Sequence, residues 1–432
     1  MVNSTMRNLT AADVLRANRG IGPGFDALRL GLAVWVFTLH AAYICRGVEG
    51  VRALAANPLH GILLTPVLPM FFLVSGYLVT GSAIRTRALS TFLLFRIFRI
   101  LPALFVEVTL SALVLGPWLT EKSLSEYFSN PNLYKYFLNI IGRAHFFLPG
   151  LFLKNPFPFV NVNLWTLRPE FYCYIFMAIM ILSGVVFSKR NFTIVCALTV
   201  VATFIYELHG GQLYNFLGLA DWKMLILAFI LGCLAYHWND WFIISKRNAL
   251  IALLIASAAF MYPPMIMIGF LMLIYIVIYI GAQKIYLPGF LRRGDYSYGI
   301  YLFGFPIQQT LVYFLPVEYR HGINILVLGL PLTLGFAMLS WNFVEKPTLK
   351  LKNRFKAGGG SARLPLDLWF KRTKAGAPTK SADSAIMMFG RVRVARVVND
   401  LPKTVEIARS VSVMDLHTPK SVLKLSSSKT ES

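Results

Sequence analysis

Arg29 and His40, with ten residues between them, stand inside one apolar run, FDALRLGLAVWVFTLHAAYI (25–44). A helix of hydrocarbon length has no packing need for either. A charged side chain near a bilayer centre costs at least about 2.5 kcal/mol, so ionisable groups there are functional candidates. On a helix the eleven-residue step covers roughly 16 Å and closes about 20° past three full turns. Both side chains therefore project from nearly one face. That face offers a fixed cation toward one leaflet and a titratable base toward the other, and imidazole can take a proton from a hydroxyl at neutral pH. A lone buried histidine is as often a hydrogen-bonded packing residue; Arg29 on the same face favours function.

Three other constellations carry chemistry beside a bland reading. FFLVSGYLVT (71–80) places Ser75 and Gly76 in a second apolar run. Small residues there permit close helix packing; the functional reading is a Ser75 hydroxyl and a bare Gly76 backbone lining a substrate channel. Arg96 and Arg99 lie one turn apart at the mouth of a third run. They anchor its cytoplasmic end, or they clamp phosphate, since guanidinium binds phosphate oxygens in bidentate fashion. Glu170, in LWTLRPEFY (164–172), opens a fourth run just after Pro169. It complements the helix dipole, or pairs with Arg168, or, at the depth expected for His40, supplies a second polar group to a reaction chamber. The segments Asp295–Tyr301 and Trp341–Pro347 read as aromatic belts and a membrane exit, that is, as structure.

These residues need elements to hold them. The chain has 432 residues, 56% hydrophobic and 14% charged, against about 25% charged in soluble domains. It reads as an all-α polytopic membrane protein. A span needs about 20 mostly apolar residues, which gives about ten: 25–45, 61–80, 98–119, 165–187, 191–208, 222–238, 248–263, 264–281, 296–315 and 323–344. The seventh and eighth abut at Pro263-Pro264. Lys and Arg gather at every second junction, which predicts both termini in the cytoplasm and the long 120–164 connection outside. The net charge of +23 therefore reflects topology, not nucleic acid. Residues 1–24 read as a polar cytoplasmic segment before a retained first span, 25–350 as the membrane domain, and 351–432 as a disordered basic cytoplasmic tail. Cys45, Cys173, Cys196 and Cys233 form no CxxC pair, so neither a disulfide framework nor a metal site is expected. No Walker loop, GxSxG, HExxH or GxGxxG stands in a suitable context.

Taken together, these segments resemble the acyltransferase-3 family of integral membrane acyltransferases, which decorate bacterial cell-surface and secreted glycans. FDALRLGLAVWVFTLH matches its Arg/Lys-x10-His signature, FFLVSGYLV its FFxxSGxL stretch, Arg96 and Arg99 its RxxR, and LWTLRPEFYCY its LWTxxxEFxxY segment. YSYGIYLFGFPIQQ and FVEKP resemble its closing spans. The resemblance covers roughly 25–350. It implies a bacterial inner-membrane enzyme with no permanently bound cofactor. Acetyl-CoA, or another acyl-CoA, would donate the acyl group to a glycan hydroxyl at the outer face. By position His40 would be catalytic, with Arg29 its partner or a donor contact. Arg96 and Arg99, with Ser75 and Gly76, would bind the donor, and Glu170 would sit near the acceptor. Many relatives carry a histidine in YLxH where this chain has Gly304, so no second histidine is expected there.

Two mechanisms stay open at this level: His40 deprotonates the sugar hydroxyl, or it carries the acyl group itself. A different class also fits a cation and a base within a span, namely a transporter or flippase using Arg29 and His40 as a proton relay. Such proteins often show inverted repeats, and none is visible in the sequence.

Overall fold

Local chemistry sets where the helices begin. Asn57 caps Pro58–Leu64 by accepting from the Leu59 N–H at 3.0 Å, with Pro58 in the first turn, where its missing N–H is harmless. Ser123 and Glu126 form a reciprocal capping box before Leu124–Ser129. The computed structural model describes residues 9–55, 57–209, 221–262 and 265–357. A second unit, Arg372–Ser432, and the expected tail from 358 onward lie outside the described residues, as do Pro263 and Pro264.

The principal helices are α1 (Phe25–Ala55), α2 (Val67–Thr86), α3 (Leu89–Leu110), α4 (Leu167–Leu182), α5 (Lys189–Leu208), α6 (Trp222–His237), α7 (Lys246–Met261), α8 (Ile266–Ala282), α9 (Ser297–Phe314), α10 (Gly322–Ser340) and α11 (Lys346–Ala357). Each of the ten expected positions holds a helix. Among the described residues four helices are long and apolar enough to cross a membrane: Phe25–Gly50, Leu59–Thr86, Leu89–Leu119 and Gly322–Leu351. Trp222–His237 and Ile266–Ala282 are apolar but shorter. A 16-residue helix such as α4 reaches about 24 Å, short of the roughly 30 Å hydrocarbon core. The described elements are all helical, apart from a lone antiparallel bridge between Thr10 and Ile243. The last described helix, α11, runs past the expected domain limit at 350.

Two packing relations position the polar side chains of the bundle. In the first, α2 lies against α6 with almost no side chain between the backbones. A Cβ on Gly76 would collide with the Phe229 carbonyl oxygen, and one on Gly232 with that of Leu73. Small residues at such crossings allow the close approach that drives helix association in lipid. In the second, α1, α3 and α9 run in the same direction. Arg29 and Arg99 both meet Asp295, just before α9. Further along, the Tyr298 hydroxyl donates to the Ile100 carbonyl at 3.0 Å, and Gln308 Nε2 donates to the Phe37 carbonyl at 2.8 Å. Helix α10 returns antiparallel to α1, with Gly322 beside Ala42 and Gly329 beside Phe37.

The 120–164 connection is pinned to the bundle by buried polar side chains. Asn155 Nδ2 donates to Gln309 at 2.7 Å, and Asn161 Nδ2 bridges Glu107 Oε1 and the Leu302 carbonyl, each at 2.9 Å. Gly47, at φ 65°, turns α1 where a Cβ would meet the Pro156 carbonyl.

Candidate functional site

A cavity of about 380 Å³ lies among α1, α2, α3, α4, the start of α9 and the α10–α11 junction. It gathers four of the expected polar side chains and Ser75: Arg29, Arg96, Arg99 and Glu170 all line it. Gly76 and His40 do not.

The arginines differ in what holds them. Asp295 Oδ2 accepts from Arg29 Nη1 at 2.5 Å and from Arg99 Nη2 at 2.6 Å, while its Oδ1 accepts from the Ser297 hydroxyl at 2.6 Å. Arg99 Nη1 also reaches Glu345 Oε2 at 3.0 Å, and the Ser340 hydroxyl donates to the other Glu345 oxygen. Burial alone would raise the pKa of the Asp295 carboxyl, but Arg29 and Arg99 outweigh it and hold the group well below the usual carboxylate range. Arg96 is different. It lies over the rings of Phe92 and Tyr174, at 5.9 and 5.8 Å, and forms no ion pair among the described residues. Among those residues its buried Nε has no hydrogen-bond partner, nor does the buried Nε1 of Trp341, which lines the same cavity. The Trp341 nitrogen is turned against Gly294, where a Cβ would lie 2.4 Å from it, and a buried polar group without a partner costs about 1–3 kcal/mol.

Glu170 belongs with this cluster and not with His40. The Tyr174 hydroxyl, one turn along α4, donates to Glu170 Oε1 at 2.5 Å, and the nearest cations are Arg96, Arg99 and Arg29. Arg168, the neighbour expected to neutralise it, instead donates to the Tyr172 hydroxyl at 2.8 Å. The depth match with His40 therefore fails: α4 enters beside Tyr301, where Thr166 meets the Tyr301 hydroxyl at 2.6 Å, and carries Glu170 back toward the arginines.

His40 is half-buried beyond the cavity. Its ring meets Phe305 edge-on at 5.4 Å and Tyr43 at 6.4 Å, and it has no hydrogen-bond partner among the described residues. Arg29 meets Asp295, two residues before α9, and His40 meets α9 itself through Phe305, as a shared helix face requires. Arg29 nevertheless lines the cavity and His40 does not, while Phe71 and Tyr301, whose rings stand 6.3 Å apart, both form its wall. Gly304 closes off the alternative at the YLxH position: a Cβ there would lie 2.9 Å from Phe37 Cδ2.

Gly76 is a packing residue. Its carbonyl accepts from the Thr80 hydroxyl at 2.8 Å, and its missing side chain admits α6. Ser75, one residue earlier, faces the cavity. The two segments read as structural supply much of the wall: Asp295, Tyr298, Tyr301 and Trp341 line it, and Glu345 binds Arg99. Their carboxylates at the ends of apolar runs were the available signal, since a charge there requires a partner. Glu107 is a further buried acid, 1% exposed, held by Ser111 and Asn161 at 2.9 Å each, with Oε2 unpartnered among the described residues. It stands just before a π-helical turn, Ser111–Leu115.

The family profile described as an acyltransferase domain matches residues 23–342, which take in every helix that lines the cavity except α11. The chain belongs to the acyltransferase-3 family. Two relatives of this chain are matched over almost their whole length. The O-acetyl transferase of Shigella phage Sf6 is 27% identical over 330 residues, covering 74% of this chain and 94% of the relative. Nodulation protein 10 of Rhizobium leguminosarum bv. viciae is 26% identical over 368 residues, covering 77% of this chain and 95% of the relative. No solved structure matches the chain. Family membership and the apolar helices make the protein an integral membrane acyltransferase.

Proposed function

We propose that this protein, set in a bacterial inner membrane, moves an acetyl group from cytoplasmic acetyl-CoA to a hydroxyl of a cell-surface or exported glycan. Ten spans with both termini in the cytoplasm put the arginine cavity on the donor side and His40 toward the acceptor side. The name of the phage relative supports an acetyl group and an oxygen acceptor.

One observation carries the reading. Asp295, Tyr298, Tyr301 and Phe305 mark successive turns at the start of and along α9. The first holds Arg29 and Arg99, the middle two line the cavity, and the last touches His40. One helix therefore joins a cationic pocket to an imidazole. A thioester enters past the arginines and is carried along α9 to His40. Arg96, which lines the cavity and has no ion pair among the described residues, meets carbonyl or phosphate oxygens of the donor.

The chemistry then follows one of two balanced routes. In the first, His40 draws the proton from the acceptor hydroxyl, whose oxygen attacks the thioester carbonyl. The carbon–sulfur bond breaks, and the CoA thiolate receives that proton. In the second, an imidazole nitrogen attacks the thioester, the carbon–sulfur bond breaks and CoA leaves as the thiol with the ring proton; the hydroxyl then attacks the acyl-imidazole, the carbon–nitrogen bond breaks and the hydroxyl proton returns to the ring. Purified protein in detergent, given radiolabelled acetyl-CoA and a candidate glycan, tests the reading. His40→Ala abolishes transfer while the protein still inserts; full transfer by that variant ends the assignment. A transporter would instead move substrate with no labelled product at all.

A further inference from the structure

The cavity poses a problem of charge and of size for an acyl-CoA. Its three arginines stand against three carboxylates, Asp295, Glu345 and Glu170. Arg29 and Arg99 are already engaged, so Arg96 is the cavity guanidinium without a carboxylate in ion-pair reach among the described residues. The donor's nucleotide carries a diphosphate and a further 3′-phosphate, which one guanidinium does not neutralise. The volume agrees. About 380 Å³ lies near the lower end of the roughly 300–1,000 Å³ that holds drug-sized molecules, and an acyl-CoA is larger than those. The space suits the pantetheine arm and its thioester.

Immediately outside the same end stand four other cations. Arg292 and Arg293 are exposed on the turn that precedes Asp295. Lys346 follows Glu345, and Lys350 follows the cavity residue Leu349; both are exposed, one turn apart on α11. The two pairs are brought to one rim by Trp341, whose indole covers Gly294 and packs in one apolar cluster with Leu291. None of the four forms an ion pair among the described residues.

We infer that Arg292, Arg293, Lys346 and Lys350 form a rim site for the phosphates of the donor's nucleotide, outside the cavity that receives its pantetheine thioester. This rests on the acyl-CoA reading and divides the donor between two sites. Exposed cations bind phosphate through charge-assisted hydrogen bonds, and they hold the nucleotide in water while the thioester alone enters the apolar region. The Arg96–Arg99 pair then addresses the arm and not the nucleotide.

The test uses the full chain in nanodiscs of neutral phosphatidylcholine and the double variants R292A/R293A and K346A/K350A. For each, KM is measured with acetyl-CoA and with S-acetylpantetheine, which lacks the nucleotide. Binding of adenosine 3′,5′-bisphosphate is followed by calorimetry. The expected result is a tenfold or greater rise in KM for acetyl-CoA, unchanged kinetics with S-acetylpantetheine, and loss of bisphosphate binding, with R292K/R293K recovering much of it. Equal effects on both donors, or bisphosphate binding that survives both double variants, overturns the rim site. So does a loss confined to binding of anionic-lipid vesicles, which would make the four residues membrane anchors. If the unaltered protein binds the bisphosphate at the rim yet transfers from neither donor, the rim stands and the transferase reading falls.

Discussion

Arg29 donates to Oδ2 of Asp295 across 2.5 Å, and through that single oxygen it is tied to Arg99 at 2.6 Å. Three helices that run in one direction are thereby joined at one end, where lipid offers no substitute partner. A carboxylate shared by two guanidinium groups leaves each arginine fixed in place but still cationic, which suits a surface that must receive an anionic or carbonyl-rich ligand without moving.

Removing that charge loosens the bundle. Asp295→Asn keeps an acceptor oxygen but leaves Arg29 without its carboxylate and Arg99 with Glu345 alone. Breaking such a pair costs about 3 kcal/mol. The expected outcome is a lower unfolding temperature in detergent together with a raised KM for acetyl-CoA, while Ser297→Ala, which removes one neutral hydrogen bond, changes the melting temperature far less.

The same group sets the acid limit of the protein. The Asp295 carboxyl lies below its ordinary range because Arg29 and Arg99 outweigh its burial. A depressed folded value contributes stability that is complete above the unfolded value of about 3.9. That contribution is lost as pH falls from there through the folded value. Melting temperature measured by intrinsic fluorescence should therefore owe no pH dependence to this group between pH 7 and 5. Below about pH 4 the drop attributable to it disappears in Asp295→Asn.

His40 separates binding from chemistry. It touches α9 through Phe305 but does not line the cavity. His40→Gln should lower the transfer rate by roughly 100-fold or more, the span typical of a lost general base. Binding of acetyl-CoA by calorimetry should stay within about threefold of the parent. A parallel loss of binding would place the imidazole at the donor site and refute the separation of the two.

Neighbouring residues on α2 should behave in opposite ways. Gly76→Ala drives a methyl group into the Phe229 carbonyl, and overpacking of this kind costs about 1–3 kcal/mol. Size-exclusion chromatography should show aggregation or loss of the folded peak. Ser75→Ala leaves the helix contact untouched and should elute as the parent does, with its effect confined to KM for the donor.

Restoring the histidine of many relatives should not help. Gly304→His places a Cβ 2.9 Å from Phe37 Cδ2, on the turn that supports His40. Transfer should fall, and the added change Phe37→Ala should recover folding by making room. A gain of transfer in Gly304→His alone would contradict this packing.

Much of this molecule is legible in its amino-acid order. Apolar runs of span length dictate helices, because backbone groups in hydrocarbon must pair within their own segment. The intervals Arg29-x10-His40 and Arg96-x2-Arg99 report which residues share a helix face, since periodicity is local. The order of motifs along the chain determined the family. Tertiary structure alone decided which neighbour covers each face. Asp295 lies 266 residues from Arg29 and 196 from Arg99 in sequence, so nothing local signals that their charges meet. Periodicity placed Ser75 and Gly76 on α2 but not which of them would face α6. It set the roughly 16 Å between Arg29 and His40 but not that Arg29 would line the cavity and His40 would not. Those outcomes depend on side chains packed from separate helices, where volume and charge are matched across distances that no interval along one helix records.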